Sequence, residues 1–407
     1  MAAEVSLASL HTDEVRRDPY PFYARLHALG PVCKVAPGDR YSYVVHGYEA
    51  SAHVLRDSAT FKVMDETLLG AKPSWEGNRA HAVFMNSVFF TNAPRHTRMR
   101  KMFNQAFTPR RINALDPAIE SLTADLLDRL AEQAAGGKVD FMSEFAFPLP
   151  ANVLGELLGV PEADRAWYRP RALALGAILE LGGATPDNVA AANTAAEEIT
   201  PYFAELAARR RAEPRDDLVT ALVQALESDG GQLSEEELVA NLIVVFNAGF
   251  VTTTHLLGNG LTLLLERPDQ LARLRTDRSL TPRFVEEILR YEVPTHFSVR
   301  WVAQDTEVAG VPIPAGCWVL VLLAAANRDP AQFARPDVFD PDRTETSTLS
   351  FGAGAHYCLG AALARLEGQR GLAMLLERFG DIRLAEPPGT PRQLMLRGHE
   401  QLWLTLR

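Results

Sequence analysis

Cysteine is scarce in this chain: three in 407 residues, at positions 33, 317 and 358. Three distant thiols do not make a disulfide framework, and without further Cys or His at short spacing they do not make a zinc module. Positive charge is also short. Lys and Arg number 41 against 51 Asp and Glu, a net charge of −10, which argues against nonspecific attachment to nucleic acid or to an anionic membrane. The first twenty residues, MAAEVSLASLHTDEVRRDPY, hold no apolar run of the kind a signal peptide needs, so a cytoplasmic protein is expected. The longest apolar stretch, residues 238–265, is interrupted by Asn241, Asn247, Thr252, Thr253, Thr254 and His255, and reads as a buried helix instead of a membrane span. No repeat, low-complexity tract or linker divides the chain, and residues 1–407 are expected to form a single domain.

What is present is a large apolar fraction, 47%, with 23% charged residues, ample for a sizeable core. Helical periodicity predicts helices over 111–135, 151–160, 187–212, 216–228, 234–266, 282–292 and 360–378. Strand patterns are short, at 41–46, 306–323 and near 392–406. Ser234 and Glu237 are spaced as a capping box before the long apolar helix. Thr281 before Pro282 reads as an N-cap and first-turn pair, and the long helix should stop before Pro268.

One stretch asks for chemistry: FGAGAHYCLG, residues 351–360. A cysteine before an apolar helix is more often a small buried hydrophobe than a ligand, and Cys33 and Cys317 take that reading. Cys358 differs in its neighbours. Gly352, Gly354 and Gly360 let the backbone bend closely around something, and a helix N-terminus follows, a setting that favours thiolate. A nucleophilic cysteine would need a base, and His356 sits two residues away in a tight loop, a poor geometry for that pairing. A lone thiolate held axially on haem iron needs one Cys and backbone N–H groups turned to the sulfur, which suits the stretch best.

The stretch resembles the cysteine-ligand loop of the cytochrome P450 family, F-x-x-G-x-H-x-C-x-G, with Phe351, Gly354, His356, Cys358 and Gly360 each matching. Further family motifs follow in order, so the resemblance covers nearly the whole chain. It implies a mainly α fold with small β-sheets, a triangular helical body whose long central helix lies over haem b, and Cys358 as the axial ligand of the iron. His96 and Arg100 in HTRMR, Arg300 and His356 match residues that contact the haem propionates, as suits donors placed to neutralise buried carboxylates. Glu287 and Arg290 in EEILR, with Arg343 in FDPDR, match a structural trio; taken alone, a Glu–Arg pair on a helix is usually a weak surface contact. In AGFVTTT the family pattern is A-G-x-(D/E)-T. Ala248, Gly249 and Thr252 match, the glycine giving room and the threonine organising water for proton delivery. Val251 stands where the acid usually does and cannot relay a proton.

The resemblance further implies dioxygen as co-substrate and electrons from NAD(P)H through a ferredoxin or flavodoxin and its reductase, docking on the cysteine side near Arg98, Lys101, Arg110, Arg111 and Arg365; a solvated basic face is the plain alternative. Its pocket walls fall on Met64, Leu68, Trp75, Met85, Phe89, Phe90, Leu179, Val245, Ala248, Val251, Phe297 and Leu402, with His296 and Glu400 as polar anchors; core packing is the commoner fate of such apolar residues. The expected reaction is hydroxylation or epoxidation of a medium-sized, largely apolar natural-product intermediate by a monomeric enzyme. Oxidative C–N or C–C bond formation without oxygen insertion is the alternative that Val251 motivates. A non-catalytic haem sensor is the reading from another class.

Overall fold

The computed structural model describes residues 3–69, 78–180, 185–228 and 233–407. Helices dominate. The central one, Glu235–Leu265, runs 31 residues, about 46 Å at 1.5 Å per residue. It begins with the expected capping box: the Ser234 hydroxyl accepts from the Glu237 N–H at 3.1 Å, and the Glu237 carboxylate accepts from the Ser234 N–H at 2.9 Å. It ends before Pro268, which opens the next helix, Pro268–Thr276. Its length and apolarity would suffice to cross a membrane, but 72% of its most apolar window is buried inside the fold, which makes it a core helix.

Around it pack Pro148–Leu158, Glu162–Ala177, Pro186–Ala212, Leu218–Ser228, Thr281–Tyr291 and Ala361–Arg378, with Asp116–Ala134 laid on Pro148–Leu158 and Ala361–Arg378. Most of these lie where the apolar period places them. Thr281 is a correction: it is the first helical residue, its hydroxyl donates to the Arg278 carbonyl at 2.7 Å, and Leu280 occupies the cap position. The helix Glu162–Ala177 was not anticipated, because Pro170 sits in its middle and reads as a breaker.

Two glycines set the spacing that matters for the site. A Cβ at Gly368 would lie 2.9 Å from Leu256, and one at Gly371 2.9 Å from Leu257. The helix Ala361–Arg378 therefore approaches the central helix more closely than any larger residue would allow, and carries the cysteine loop at its start with it.

The main sheet has six short strands in the order Glu4–Val5, Val32–Val35, Tyr43–Val45, Trp318–Leu322, Phe297–Val302, Phe61–Lys62. Phe297–Val302 pairs antiparallel to Trp318–Leu322, with Arg300 opposite Val319. The C-terminal strand signal narrows to Trp403–Leu406, which pairs with Ile382–Leu384 and Val139–Asp140. The largest hydrophobic cluster surrounds the central helix, and two smaller ones lie on the faces of the main sheet.

Candidate functional site

Along the central helix most side chains are buried, yet Val245, Ala248, Gly249, Thr252 and His255 retain accessible surface. These positions fall on one side of a 3.6-residue helix. They form the wall of an internal cleft. Ala248 is its most exposed member. A Cβ on Gly249 would lie 2.7 Å from Leu154, so the room that this glycine gives is taken up by the neighbouring helix. Thr252 donates its hydroxyl to the Ala248 carbonyl at 2.9 Å, and Thr253 and Thr254 bond back one turn in the same way. Val251 is buried in the core and faces away from the cleft, as its 100° offset from Thr252 requires.

Cys358 lies just before the helix Ala361–Arg378, which packs on the central helix at Gly368 and Gly371. The cysteine keeps exposed surface, and the protein gathered around its sulfur pushes the thiol up. The Gly360 N–H, Arg100 and Arg365 pull the other way. Burial thus opposes the lowering expected from the helix N-terminus alone, and a cationic centre in the proton's place would favour the thiolate. The loop is built for this pose. Gly352 and Gly354 have φ of +70° and +72°, and a Cβ on Gly354 would lie 2.5 Å from the Leu55 carbonyl oxygen. The Cys358 N–H donates to the Phe351 carbonyl at 2.9 Å, and the Arg365 guanidinium lies 4.4 Å from the Phe351 ring centre.

His96, Arg100, Arg300 and His356 converge as a group. The rings of His96 and His356 are 4.1 Å apart. Burial, with His96, Arg300 and Arg100 alongside, pushes the His356 imidazole down to about 2, and burial with Arg100 pushes His96 down to about 4. Burial lowers Arg300 to about 10; among the described residues its guanidinium donates to the Ser298 hydroxyl at 2.6 Å and the Val299 carbonyl at 2.8 Å. Among the described residues no carboxylate pairs with Arg100 or Arg300, and the His96 Nε2 is buried without a partner. Four cationic or donor groups gathered without an acid are out of balance until an anionic group joins them. A haem fits: its two propionates would supply the missing charge, and the lone thiol would supply the axial ligand. No cluster of three or more His, Cys, Asp or Glu capable of holding a bare metal ion occurs among the described residues.

Behind the loop, Glu287 and Arg290 form a fork–fork pair at 2.7 and 2.8 Å, with side chains 4% and 1% exposed. Arg290 also donates to the carbonyls of Asn327, Pro336 and Val338. Arg343 approaches Glu287 at 3.4 Å and donates to Ala334 and Val338. Asp340 N–H donates to Glu287 at 2.8 Å. The trio therefore ties the 334–343 meander to the helix Thr281–Tyr291.

Several pocket expectations are corrected. His296 is 0% exposed; its Nδ1 bonds the Tyr23 hydroxyl at 3.0 Å and its ring lies among Tyr20 and Tyr23, so it anchors the sheet edge and no ligand. Glu400 is exposed and paired with Arg392 at 3.1 Å. Val251, Phe297, Leu402 and Met85 are packed into the core clusters. Val245 and Ala248 stay on the cleft wall; Phe90, Leu179 and Met64 are partly buried against the main cluster, and Phe89 is 45% exposed. Trp75 lies outside the described residues. On the partner side, Arg98 is committed to Glu237 at 2.8 and 3.0 Å and Arg365 to Glu286, whereas Lys101 and Arg110 are exposed.

The reading missed His255 and His399. Gly398 packs against His255 so closely that a Cβ there would fall 2.0 Å from the His255 Nδ1. His399 meets the Thr262 hydroxyl at 3.0 Å. Only the odd placement of a histidine one turn beyond Thr252 signalled this in the sequence.

Comparison with known proteins agrees with this geometry. The family model "Cytochrome P450" matches residues 8–158 and 185–402. The 6-deoxyerythronolide B hydroxylase of Saccharopolyspora erythraea is 37% identical over 98% of both chains. The cytochrome P450 monooxygenase PikC of Streptomyces venezuelae is 39% identical over 91% of this chain and 86% of that protein. Among solved structures, P450BioI in complex with an acyl carrier protein ligated to hexadec-9Z-enoic acid superposes with a TM-score of 0.89 at 35% identity, covering 97% of this chain and 100% of that one. CxnD, described as an enzyme for C–S bond formation in chuangxinmycin biosynthesis, gives 0.87 at 33%, covering 100% and 98%. Matched by the family model over most of its length, and by relatives 37% and 39% identical over 98% and 91% of it, this chain belongs to the cytochrome P450 family of haem-thiolate monooxygenases.

Proposed function

We propose that this enzyme oxidises a medium-sized, largely apolar intermediate of natural-product biosynthesis, by hydroxylation or epoxidation. The observation that carries the substrate class is the cleft wall itself. With His296 and Glu400 committed elsewhere, the described residues on the wall beside Thr252 are Val245, Ala248, Gly249 and His255, so the stretch before Thr252 is wholly apolar, and Phe89 and Phe90 keep accessible surface as well. An apolar wall with few polar groups selects by shape and desolvation. A relative named as 6-deoxyerythronolide B hydroxylase, and a neighbour described as forming a C–S bond in chuangxinmycin biosynthesis, support the class.

Haem, when bound, supplies the oxidising chemistry with dioxygen and two electrons. The chain's own residues bind, orient and protect. His96, Arg100, Arg300 and His356 would hold the propionates, and Cys358 would ligate the iron. The Thr252 hydroxyl, with its proton given to Ala248, presents lone pairs to the cleft and holds a water there. Electrons arrive from NAD(P)H through a ferredoxin or flavodoxin and its reductase, docking near Lys101 and Arg110. A cytoplasmic monomer formed as one domain suits this role.

A second reading has support in Val251: without an acid beside Thr252, oxidation can end in ring closure through a C–N or C–C bond with no oxygen inserted, and a structural neighbour forms a C–S bond. An optical titration of the ferric protein with macrolactone, fatty-acyl and peptide compounds, free and carrier-bound, tests the substrate class; a saturable high-spin shift with one scaffold supports it, and no shift with any of them counts against it. Turnover under labelled dioxygen then separates the readings. Label in the product excludes pure coupling, and its absence excludes simple hydroxylation.

A further inference from the structure

The acid that would feed protons to Thr252 is missing, yet the cleft face of the central helix is polar beyond it. Thr252, His255, Asn259 and Thr262 follow one another on that face at spacings of three and four. Against them runs the segment 397–399. Asn259 donates to the Arg397 carbonyl at 3.2 Å, Gly398 abuts the His255 ring, and His399 bonds Thr262 through Nε2. The Nδ1 atoms of His255 and His399 are both buried and, among the described residues, both without a hydrogen-bond partner. Two orphaned ring nitrogens in one small space are costly unless something links them. A bridging water satisfies both.

We propose that His255 and His399 form the proton-carrying pair that serves Thr252 in place of the acid absent at Val251. The inference rests on the reading of Thr252 as the group that holds water in the cleft. His255 and Thr252 are neighbours on the helix surface, with Cβ atoms about 5–6 Å apart, a gap one water spans. Outward, His399 is influenced by Glu292 and Arg397. Glu292 accepts from Arg397 at 2.7 Å and is partly exposed, which places an acid at the solvent end.

The transfer is balanced by protons alone. One proton enters His399 Nε2 through the Thr262 hydroxyl that meets it, as another leaves Nδ1 through the bridging water for His255 Nδ1. His255 likewise releases one from Nε2 toward Thr252, and each ring regains its starting tautomer by turning over once the proton has passed. No electron moves. Burial, with His399 beside it, holds His255 down to about 4, and burial holds His399 down to about 4 with Arg397 lowering and Glu292 raising it. Imidazoles this reluctant to store a proton pass it on.

The test uses holoenzyme reduced by NADPH through a surrogate ferredoxin and its reductase, without substrate, and measures how electrons divide between hydrogen peroxide and water. His255→Gln and His399→Gln should each lower the water-forming share at least ~3-fold and raise the solvent isotope effect on electron consumption. Gly398→Ala, which keeps both imidazoles but displaces the His255 ring, should do the same. Nitrogen-15 spectra of labelled histidine supply a readout independent of turnover: His255→Gln should change the tautomer ratio of His399. An unchanged electron division in His255→Gln overturns the pair, and so does an unmoved His399 signal. Thr252→Ala is run alongside. If it too leaves the division unchanged, the reading of Thr252 fails; if it changes the division and His255→Gln does not, the histidine pair alone fails.

Discussion

Removing the Glu287 carboxylate should cost this fold more than most single changes. In Glu287→Ala, Arg290 loses both bonds of its fork, at 2.7 and 2.8 Å, and keeps only backbone carbonyls. Arg343 loses its charge partner, and the Asp340 N–H is left with no acceptor. Breaking a buried ion pair from one side costs about 3–5 kcal/mol, and the orphaned amide about 1 more. The sum, about 4–6 kcal/mol, is a large part of the 5–15 kcal/mol by which folded proteins are typically stable. The loss should fall first on the 334–343 meander and the cysteine loop beyond it. Denaturant unfolding of the apoprotein at pH 7, followed by circular dichroism, measures the loss, and retention of haem in a competing apomyoglobin assay reports its local effect. The double variant Glu287→Ala/Arg290→Ala should be less destabilised than the sum of its singles by at least ~1–2 kcal/mol, because the second change removes the stranded charge. A Glu287→Ala protein within ~1 kcal/mol of the parent, or a strictly additive double variant, would refute the reasoning.

Three further outcomes are expected. Gly354→Ala forces a side chain into φ +72° and against the Leu55 carbonyl, so it should lose ~1–2 kcal/mol from the backbone conformation alone and more from the clash, seen as a lowered melting temperature and a split Soret band. Apoprotein stability should fall as pH drops from 7 to 5. His46, held by burial down to about 3, is neutral when folded but protonates near 6.5 when unfolded, so the unfolded chain takes up the proton first; the stability is present above pH 6.5 and is lost through the window below it, about 2 kcal/mol by pH 5 for this residue, and a flat profile would contradict it. Lys101→Glu with Arg110→Glu should slow reduction by an acidic ferredoxin several-fold, with the effect fading at high salt, whereas Arg98→Glu should chiefly lower stability by repelling Glu237; equal kinetics for the first pair in stopped flow would remove the docking face.

What the sequence made legible is local. The cysteine loop, the capping box and the Glu287–Arg290 pair each depend on residues a few positions apart, where spacing and geometry are nearly the same thing. The misplaced residues are those whose direction is set by distant partners. His296 lies next to a segment expected to wall the pocket, yet Tyr23, 273 residues away in sequence, fixes its ring. Arg98 reads as free surface charge because Glu237 is 139 residues on. Val251 shows the same limit within one helix: adjacent to Thr252 in sequence, it points into another part of the molecule. At Cys358 the helix terminus is visible in sequence, whereas the protein around the sulfur that pushes its thiol up is not.

The Glu237 carboxylate closes the capping box, but it also receives Arg95 at 2.6 Å and Arg98 at 2.8 Å from the helix Arg95–Ala106. That second helix carries His96 and Arg100. One carboxylate therefore caps the central helix and fastens its first turn to a second helix, so the start of the longest element and the helix bearing the exposed Lys101 share a single buried anchor.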